Sequence, residues 1–251
     1  MWNSVFFYSG IKADESLYNL VVNQAFFMLE AFLGEEILDK WIGMIEVLEA
    51  PKEDQILLPL SDLKVYVDTQ VVLLKNKLAD QPYYTFSEDS DWILYELDPT
   101  EAEDYPKQQD LYIARTMDAD LWTNVQNGYP FYSENYSRLG EIFCYLKMDG
   151  NFTDEDAFFE LKTEIENQLN QALLNEGYGS VIGSGTGYRY QYIDLALHNF
   201  EAAVPLIQSL TSSLGTPRST WLLFFDTPLE GEWIGMFEDT PSPFLGNFSE
   251  A

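Results

Sequence analysis

Cysteine and histidine are almost absent from this sequence, which has one of each, Cys144 and His198. A single cysteine cannot form an intramolecular disulfide, and one cysteine with one histidine cannot supply a Cys/His zinc site. Basic residues are also scarce, since 13 Lys and Arg stand against 42 Asp and Glu. The formal charge of −29 disfavours direct binding to nucleic acid or to anionic membranes, because both interactions require cationic side chains.

Targeting signals and long apolar runs are lacking as well. The first eight residues have no basic region before their apolar stretch, and the longest apolar candidate, residues 25–33, is interrupted by Glu30. The sequence therefore predicts neither a signal peptide nor a membrane helix, and it favours a cytoplasmic location. Apolar residues nevertheless make up 46% of the 251 residues and aromatic residues 16%, which suffices for one large or two smaller folded domains.

The first half of the chain, residues 1–130, is predicted to be a helix-rich α+β domain. A strand at residues 5–8 precedes a helix that begins after Asp14 and ends at Gly34. Two more helices are expected at residues 35–48 and 61–78, and strands are expected at 92–97 and 111–116. A connection rich in Gly, Pro, Tyr and Asn, at residues 127–137, is the predicted domain boundary.

The second half, residues 138–251, alternates strand, helix, strand, strand, helix and strand. The strands are expected at residues 141–148, 180–182, 188–197 and 220–225, the helices at 153–176 and 200–214, and an edge strand at 233–237. Split βαβ units in this order typically form an antiparallel sheet with both helices on one face. The predicted fold class is therefore α+β, with a ferredoxin-like βαββαβ domain after the helix-rich one.

The run Gly183-Ser-Gly185-Thr-Gly187 is the most conspicuous local motif. It does not fit a dinucleotide-binding loop, because that loop opens a helix and this run is followed by alternating strand residues. We interpret it as a tight or bulged connection between strands in which glycine supplies positive φ angles, or alternatively as a backbone surface for a ligand. Asp194, a carboxylate in the next strand, either faces solvent or belongs to such a ligand site.

Metal and nucleophilic chemistry are not predicted. The segment from Asp149 to Glu160 superficially matches a calcium loop, but Asp154 stands where the sharp turn needs glycine, and helix capping explains the same residues. Cys144 lies between apolar neighbours, which is typical of a core side chain rather than of a nucleophile paired with His198. We therefore expect no metal, cofactor or catalytic residue, and no enzymatic activity.

Acidic residues are densest between Pro82 and Pro106, in a window without Lys or Arg. A surface that presents Tyr and Trp among carboxylates suits a basic protein partner, with aromatic residues as anchors and acids for electrostatic steering. An ordinary solvated acidic exterior explains the same pattern. The predicted partner-binding residues are Glu88, Asp89, Asp91, Trp92, Tyr95, Glu96, Asp98, Glu101, Glu103, Asp104, Glu232, Glu238 and Asp239.

In strand and helix order and in acidity, residues 139–226 resemble small acidic ferredoxin-like inhibitors, including bacterial regulators of RNase E activity of the B type, and immunity proteins that neutralise toxins. The resemblance implies a non-enzymatic inhibitor of a positively charged partner, such as a nuclease toxin or another nucleic-acid-binding protein. We expect a monomer or weak dimer, because the charge excess opposes self-association. The alternatives are a small-ligand or catalytic domain that uses Asp194 and a turn at residues 183–187, and an acid-adapted protein without a dedicated partner.

Overall fold

The computed structural model of the protein describes residues 3–8, 15–48, 50, 58–85, 91–150 and 155–243. By its internal contacts the chain divides into two compact units, Met1–Leu78 and Ala79–Ala251. The sequence places the boundary later, between residues 130 and 138. The observed division falls earlier because the strands expected at 92–97 and 111–116 pair within the sheet of the second unit.

In its described part, the first unit contains a parallel strand pair and three helices. The strands are β1 (Asn3–Tyr8) and β2 (Ile42–Leu48), and the helices are α1 (Glu15–Leu33), α2 (Glu35–Trp41) and α3 (Leu63–Lys75). The helix predicted at 35–48 is wrong over its second half. The β-branched residues Ile42, Ile45 and Val47 form β2 instead, because they pair with β1.

Helix α1 carries apolar side chains on its exposed side as well as on the side that packs in the core of the first unit. Leu29 and Leu33 pack in that core with Leu38 and Val67, whereas Phe27 is 60% exposed. Within the described ranges, no single helix combines the length and the apolar character needed to cross a membrane. The bent pair Leu17–Leu33 and Glu35–Trp41, at an angle of 111°, meets those two criteria together.

The second unit is an antiparallel open sheet with helices. Its described strands are β3 (Ile93–Glu96), β4 (Leu111–Thr116), β5 (Ile142–Asp149), β6 (Gly179–Gly187), β7 (Tyr190–Leu197), β8 (Thr220–Phe224) and β9 (Trp233–Gly235). The described helices are α4 (Ala119–Gln126), α5 (Glu155–Glu176) and α6 (Phe200–Ser213). The seven strands are ordered β3-β4-β6-β7-β5-β8-β9 and every neighbouring pair is antiparallel, which confirms the mixed α and β class.

Helices α5 and α6 pack on one side of this sheet, which we call the helix face. Ile165 of α5 and Ile207 of α6 share a fully buried core with Cys144 and Leu146 of β5 and Leu195 of β7. Alternate residues of the same strands point to the other side, because successive strand side chains alternate between faces.

The opposite side, which we call the loop face, is covered by a long connection and by α4. Tyr145, Tyr192 and Trp221 of the sheet pack there against Tyr105 from the β3–β4 connection and Trp122 from α4. The central strands are therefore buried on both faces, and any opening on the loop face lies between the sheet and this connection.

The glycine run lies inside β6 rather than in a turn, so that prediction is wrong. None of Gly183, Gly185 and Gly187 has a positive φ. A Cβ on Gly183 would overlap the carboxylate of Asp194, and one on Gly187 would overlap that of Asp110. The glycines therefore provide space for side chains of the loop face. The predicted bulge is present, since the β6–β7 register shifts between Val181 and Gly183.

Candidate binding site

The predicted partner-binding acids between Glu88 and Asp104 form a first cluster, and those that the structure describes are largely exposed. Glu88 and Asp89 lie outside the described residues. The carboxylates that are exposed and make no ion pair with any described residue are those of Asp91, Glu96, Asp98, Glu101 and Glu103. Their negative charge is therefore not compensated by an ion pair within the part of the chain that the structure describes.

The two aromatic residues predicted in this cluster have contacts within the chain. The guanidinium of Arg115 lies 4.5 Å from the ring centroid of Trp92. Tyr95 stacks on Trp122, with 3.9 Å between the ring centroids. An exposed aromatic pair lies nearby instead, formed by Tyr112 of β4 stacked on Tyr188. The pair is close to this cluster because the Tyr112 carbonyl accepts a hydrogen bond from the backbone N–H of Leu97.

The predicted acids near the C-terminus lie at two different places. Glu232 lines a cavity on the loop face, whereas Glu238 and Asp239 line a separate groove beside α6. Asp239 pairs with Arg218 at 3.1 Å, and both side chains are exposed. Such an exposed pair contributes about 0–1 kcal/mol. The structure does not bring Glu238 and Asp239 into the cavity that Glu232 lines.

The acidic loop, which we define as residues 97–110, is hydrogen-bonded to the sheet at Leu97 and over residues 104–110. The backbone N–H of Ala102 donates to the Tyr105 hydroxyl at 3.0 Å, and the carbonyl of Tyr105 accepts from Lys147 Nζ. Asp104 accepts from the Tyr190 hydroxyl at 2.7 Å and pairs with Arg189 at 3.3 Å. Partial burial raises the pKa of Asp104, but these hydrogen bonds and cations outweigh it, so the pKa lies below its ordinary value.

Asp110, at the end of the acidic loop, is fully buried and accepts three hydrogen bonds. Its donors are the backbone N–H groups of Arg189 and Tyr190, each at 2.9 Å, and the hydroxyl of Tyr192. Gly187 leaves the space that this carboxylate occupies. We conclude that Asp110 ties the loop to the turn between β6 and β7, because a buried carboxylate needs such donors.

Asp194 is buried beneath the acidic loop, so the interpretation that it faces solvent is wrong. Gln108 Nε2 donates to Asp194 Oδ1 at 2.6 Å. Burial raises the pKa of Asp194 to about 7; the Gln108 hydrogen bond opposes this shift and the charge of Glu166 adds to it. The other polar atom of the amide, Gln108 Oε1, is buried and has no hydrogen-bond donor among the described residues.

A cavity of about 330 Å³ lies between the acidic loop, the sheet and residues 223–232. Its walls are mainly aromatic and aliphatic, and include Tyr105, Tyr129, Phe131, Tyr145, Leu223 and Leu229. The polar residues that line it, besides its tyrosines, are Asp104, Lys107, Gln108, Lys147, Thr227, Glu230 and Glu232. We call this the loop-face cavity.

Lys147 is the buried cation of the loop-face cavity and is only 3% exposed. Its ammonium lies 3.8 Å from the centroid of the Tyr190 ring and donates one hydrogen bond, to the Tyr105 carbonyl, among the described residues. Burial lowers the pKa of Lys147 to about 8, although Asp104 and Asp110 act in the opposite direction. Lys147 is not among the residues predicted from the sequence, although a lysine inside an otherwise apolar strand is a signal of a buried functional cation.

Lys107, on the acidic loop, has a positive φ of 54°, which is unusual for a residue with a side chain. Its ammonium pairs with Glu230 at 3.0 Å, and both residues line the loop-face cavity. Strained backbone of this kind is concentrated at ligand-binding sites in proteins. The loop therefore adopts a costly conformation at the place where it borders the cavity.

Cys144 is fully buried on the helix face, as predicted for a core side chain, whereas His198 is exposed. Burial raises the pKa of the Cys144 thiol well above its ordinary value. A neutral thiol is a poor nucleophile. Among the described residues there is no group of three or more His, Cys, Asp or Glu placed to hold a metal ion.

Comparison of the chain with protein-family models, with curated proteins and with solved structures finds no match. Fold alone does not define a function. The acidic loop and the loop-face cavity are the two features whose chemistry can indicate one.

Proposed function

We propose that the protein is a non-enzymatic inhibitor, of the immunity-protein kind, that binds a positively charged protein through its acidic loop. The observation that carries this proposal is the group of exposed carboxylates, Asp98, Glu101 and Glu103, which pair with no described cation and lie beside the part of the loop that is hydrogen-bonded to the sheet. A basic nuclease toxin, or another protein with a nucleic-acid-binding surface, has the complementary charge. The cytoplasm is the proposed compartment.

The anchoring of the acidic loop supports a role in recognition. Hydrogen bonds to Tyr190, Lys147 and Asp194 fix residues 104–108 of the loop, next to the exposed acids, before any partner arrives. A preorganised loop loses less conformational entropy on binding than a mobile one. The clustered negative charge also steers a cationic partner, which raises association rates by about 10- to 1,000-fold at low salt.

The strand order supports the ferredoxin-like core that the resemblance implies. We propose that β5, α5, β6, β7, α6 and β8 form this core. β5 and β6, which α5 connects, are separated in the sheet by β7, and β7 and β8, which α6 connects, are separated by β5. This is the arrangement of split βαβ units. On this proposal, β3, β4 and β9 are additions at the two edges of the core.

Charge reversal tests the proposed function. The variant Asp98→Lys, Glu101→Lys, Glu103→Lys is compared with the matched variant Glu160→Lys, Glu164→Lys, Glu176→Lys, which changes the net charge equally at exposed positions of α5. Each tagged protein is used to capture partners from a lysate of the source cell, with quantitative mass spectrometry. We expect a basic protein that the wild type and the α5 variant retain and the loop variant loses.

The captured protein then allows a kinetic test. Its association rate with the wild type should fall as the NaCl concentration rises, and the loop variant should show a slower and less salt-dependent rate. Equal effects of the loop and α5 variants would mean that only overall charge matters. That result, or the absence of any basic protein that depends on the loop, would contradict the proposal.

A further inference from the structure

We propose that the loop-face cavity is a binding site for a small, neutral aromatic molecule that presents a carbonyl oxygen to Lys147. This inference goes beyond the proposed inhibitor function and does not depend on it. It stands on the shape of the cavity, on a buried ammonium with unused hydrogen-bonding capacity, and on the charges around the cavity.

The size and lining of the cavity suit an aromatic ligand. Its volume of about 330 Å³ lies at the lower end of the range for small-molecule sites, which fits one substituted ring. Tyr105, Tyr129, Phe131 and Tyr145 contribute aromatic surface. Stacked or edge-to-face contacts with such rings favour an aromatic molecule over an aliphatic one of the same size.

One polar group of the cavity lining has hydrogen-bonding capacity that the described residues do not use. The Lys147 ammonium has three protons and makes one hydrogen bond with a described residue, to the Tyr105 carbonyl. Buried polar groups are nearly always hydrogen-bonded in proteins, so the two remaining protons of this buried ammonium require further acceptors. A carbonyl oxygen of a ligand in the cavity would accept from Lys147.

The charges around the cavity select a neutral ligand. Asp104 pairs with Arg189, and the lining cation Lys107 pairs with Glu230. Glu232 borders the cavity without an ion pair among the described residues and opposes the entry of a carboxylate. Lys147 opposes a cationic ligand in the same cavity. Burial of the Lys147 ammonium removes part of its hydration and lowers its pKa to about 8. A carbonyl oxygen would replace part of that lost solvation without adding charge.

Three probes of nearly equal shape test the charge selection, namely benzamide, benzoate and benzamidine. Each is titrated into ¹⁵N-labelled full-length protein, and the amide shifts are followed by NMR. We expect benzamide to bind with a Kd on the order of 1 mM, which is typical of a fragment with so few atoms. Its largest shifts should lie at Tyr145, Lys147 and Leu223, and benzoate and benzamidine should bind at least about tenfold more weakly.

The variant Lys147→Met tests the role of the ammonium. Removal of a charged donor should weaken benzamide binding by roughly tenfold or more. Lys64→Met, which changes an exposed lysine of the first unit, is the matched control and should leave the Kd within about twofold. If Lys147→Met does not fold, the shift map and the ranking of the three probes on the wild type still decide the question.

Each other outcome overturns the proposal in a defined way. Tighter binding of benzoate would identify an anion site, and tighter binding of benzamidine would identify a pocket for a cationic side chain. Benzamide shifts confined to residues away from the cavity would exclude the assigned location. An absence of shifts with all three probes at ligand concentrations about tenfold above the expected Kd would exclude a ligand site of this class.

Discussion

At the scale of single residues, buried carboxylates explain the glycines that look like a motif. Asp194 and Asp110 occupy the space above Gly183 and Gly187, and Leu111 occupies the space above Gly185. The glycines are thus needed for packing of β6 against side chains of β7, β4 and the acidic loop, not for a phosphate or for a turn. Substitution of these glycines by alanine therefore tests directly whether the packing requires a residue without a side chain.

We expect Gly187→Ala to lower the free energy of unfolding by about 3 kcal/mol, because the new Cβ overlaps the Asp110 carboxylate and displaces its hydrogen bonds. Gly128→Ala is the control. Gly128 has a φ of 67° with open space around its Cβ position, so its substitution should cost only about 1 kcal/mol of backbone strain. Urea denaturation measures both values, and equal losses would refute the packing explanation.

The raised pKa of Asp194 predicts a dependence of stability on pH. Burial holds this pKa at about 7 in the folded protein, whereas an aspartate in an unfolded chain titrates near about 3.9. Between these values the unfolded state loses its proton first. The unfolding free energy therefore falls as pH rises through this window, and the loss is complete above about pH 7.

Asp194→Asn cannot ionise and should lack this loss. We expect its stability relative to the wild type to rise by about 2–3 kcal/mol between pH 5 and pH 8, measured by urea denaturation. Asp98→Asn, at an exposed position, should follow the wild type across the same range. Parallel pH profiles for the wild type and Asp194→Asn would show that Asp194 is ionised throughout.

Sequence reasoning succeeded for residues whose burial is set by their neighbours in the chain. Cys144 was predicted as a core residue because apolar residues flank it, and it is fully buried. Asp194 and Lys147 were not predicted as buried charges, because their burial depends on the acidic loop. The partner of Asp194, Gln108, is 86 positions away in the chain. No local pattern encodes such a contact.

At the scale of elements, capping and periodicity predicted most of the second unit. α6 begins after Asn199, whose side chain accepts from the backbone of Ala202, and it extends to Ser213, close to the predicted end at 214. α4 was missed because it has only two turns. β2 was taken for helix because Ile42, Ile45 and Leu48 also fit a helical period, and only pairing with β1 favours the strand.

The beginning of α4 offers a test at this scale. Asp118 accepts from the backbone N–H of Leu121 at 2.9 Å and from the Tyr83 hydroxyl at 2.6 Å. We expect Asp118→Ala to lower the free energy of unfolding by about 1–2 kcal/mol, since both donors lose their acceptor. Asp120→Ala, at an exposed position of the first turn, should change it by less than about 0.5 kcal/mol. Thermal or urea denaturation measures the difference, and similar losses would contradict the cap.

At the scale of the whole molecule, the charge of −29 opposes folding through self-repulsion. We expect the Tm to rise by roughly 5 °C between 0.01 and 1 M NaCl, because the Debye length falls from about 30 Å to about 3 Å. The variant with three lysines in the acidic loop should show a smaller rise. A Tm that is constant or falls with salt would mean that the acids are already balanced by local contacts.

The acidic surface could be predicted from the sequence in part, and the cavity could not. Charge density alone predicted the acidic window between Pro82 and Pro106. Its described carboxylates at Asp91, Glu96, Asp98, Glu101 and Glu103 are exposed, whereas Asp104 is half-buried and pairs with Arg189. The loop-face cavity requires the sheet order that brings the acidic loop and residues 223–232 to the same face. That order is set by long-range strand pairing, which leaves no trace in a single sequence.

β3 lies at the end of the strand order, so the acids beside it also affect association between copies of the protein. Among the described strands β3 has β4 as its sole neighbour, so its outer backbone amides and carbonyls are available to another chain, and Ile93 and Leu94 are exposed beside them. An edge strand of this kind can pair with the same strand of another copy, which leads to aggregation. Asp91, Glu96 and Asp98 place negative charges beside this edge strand. The carboxylates that would attract a cationic partner therefore also repel identical copies.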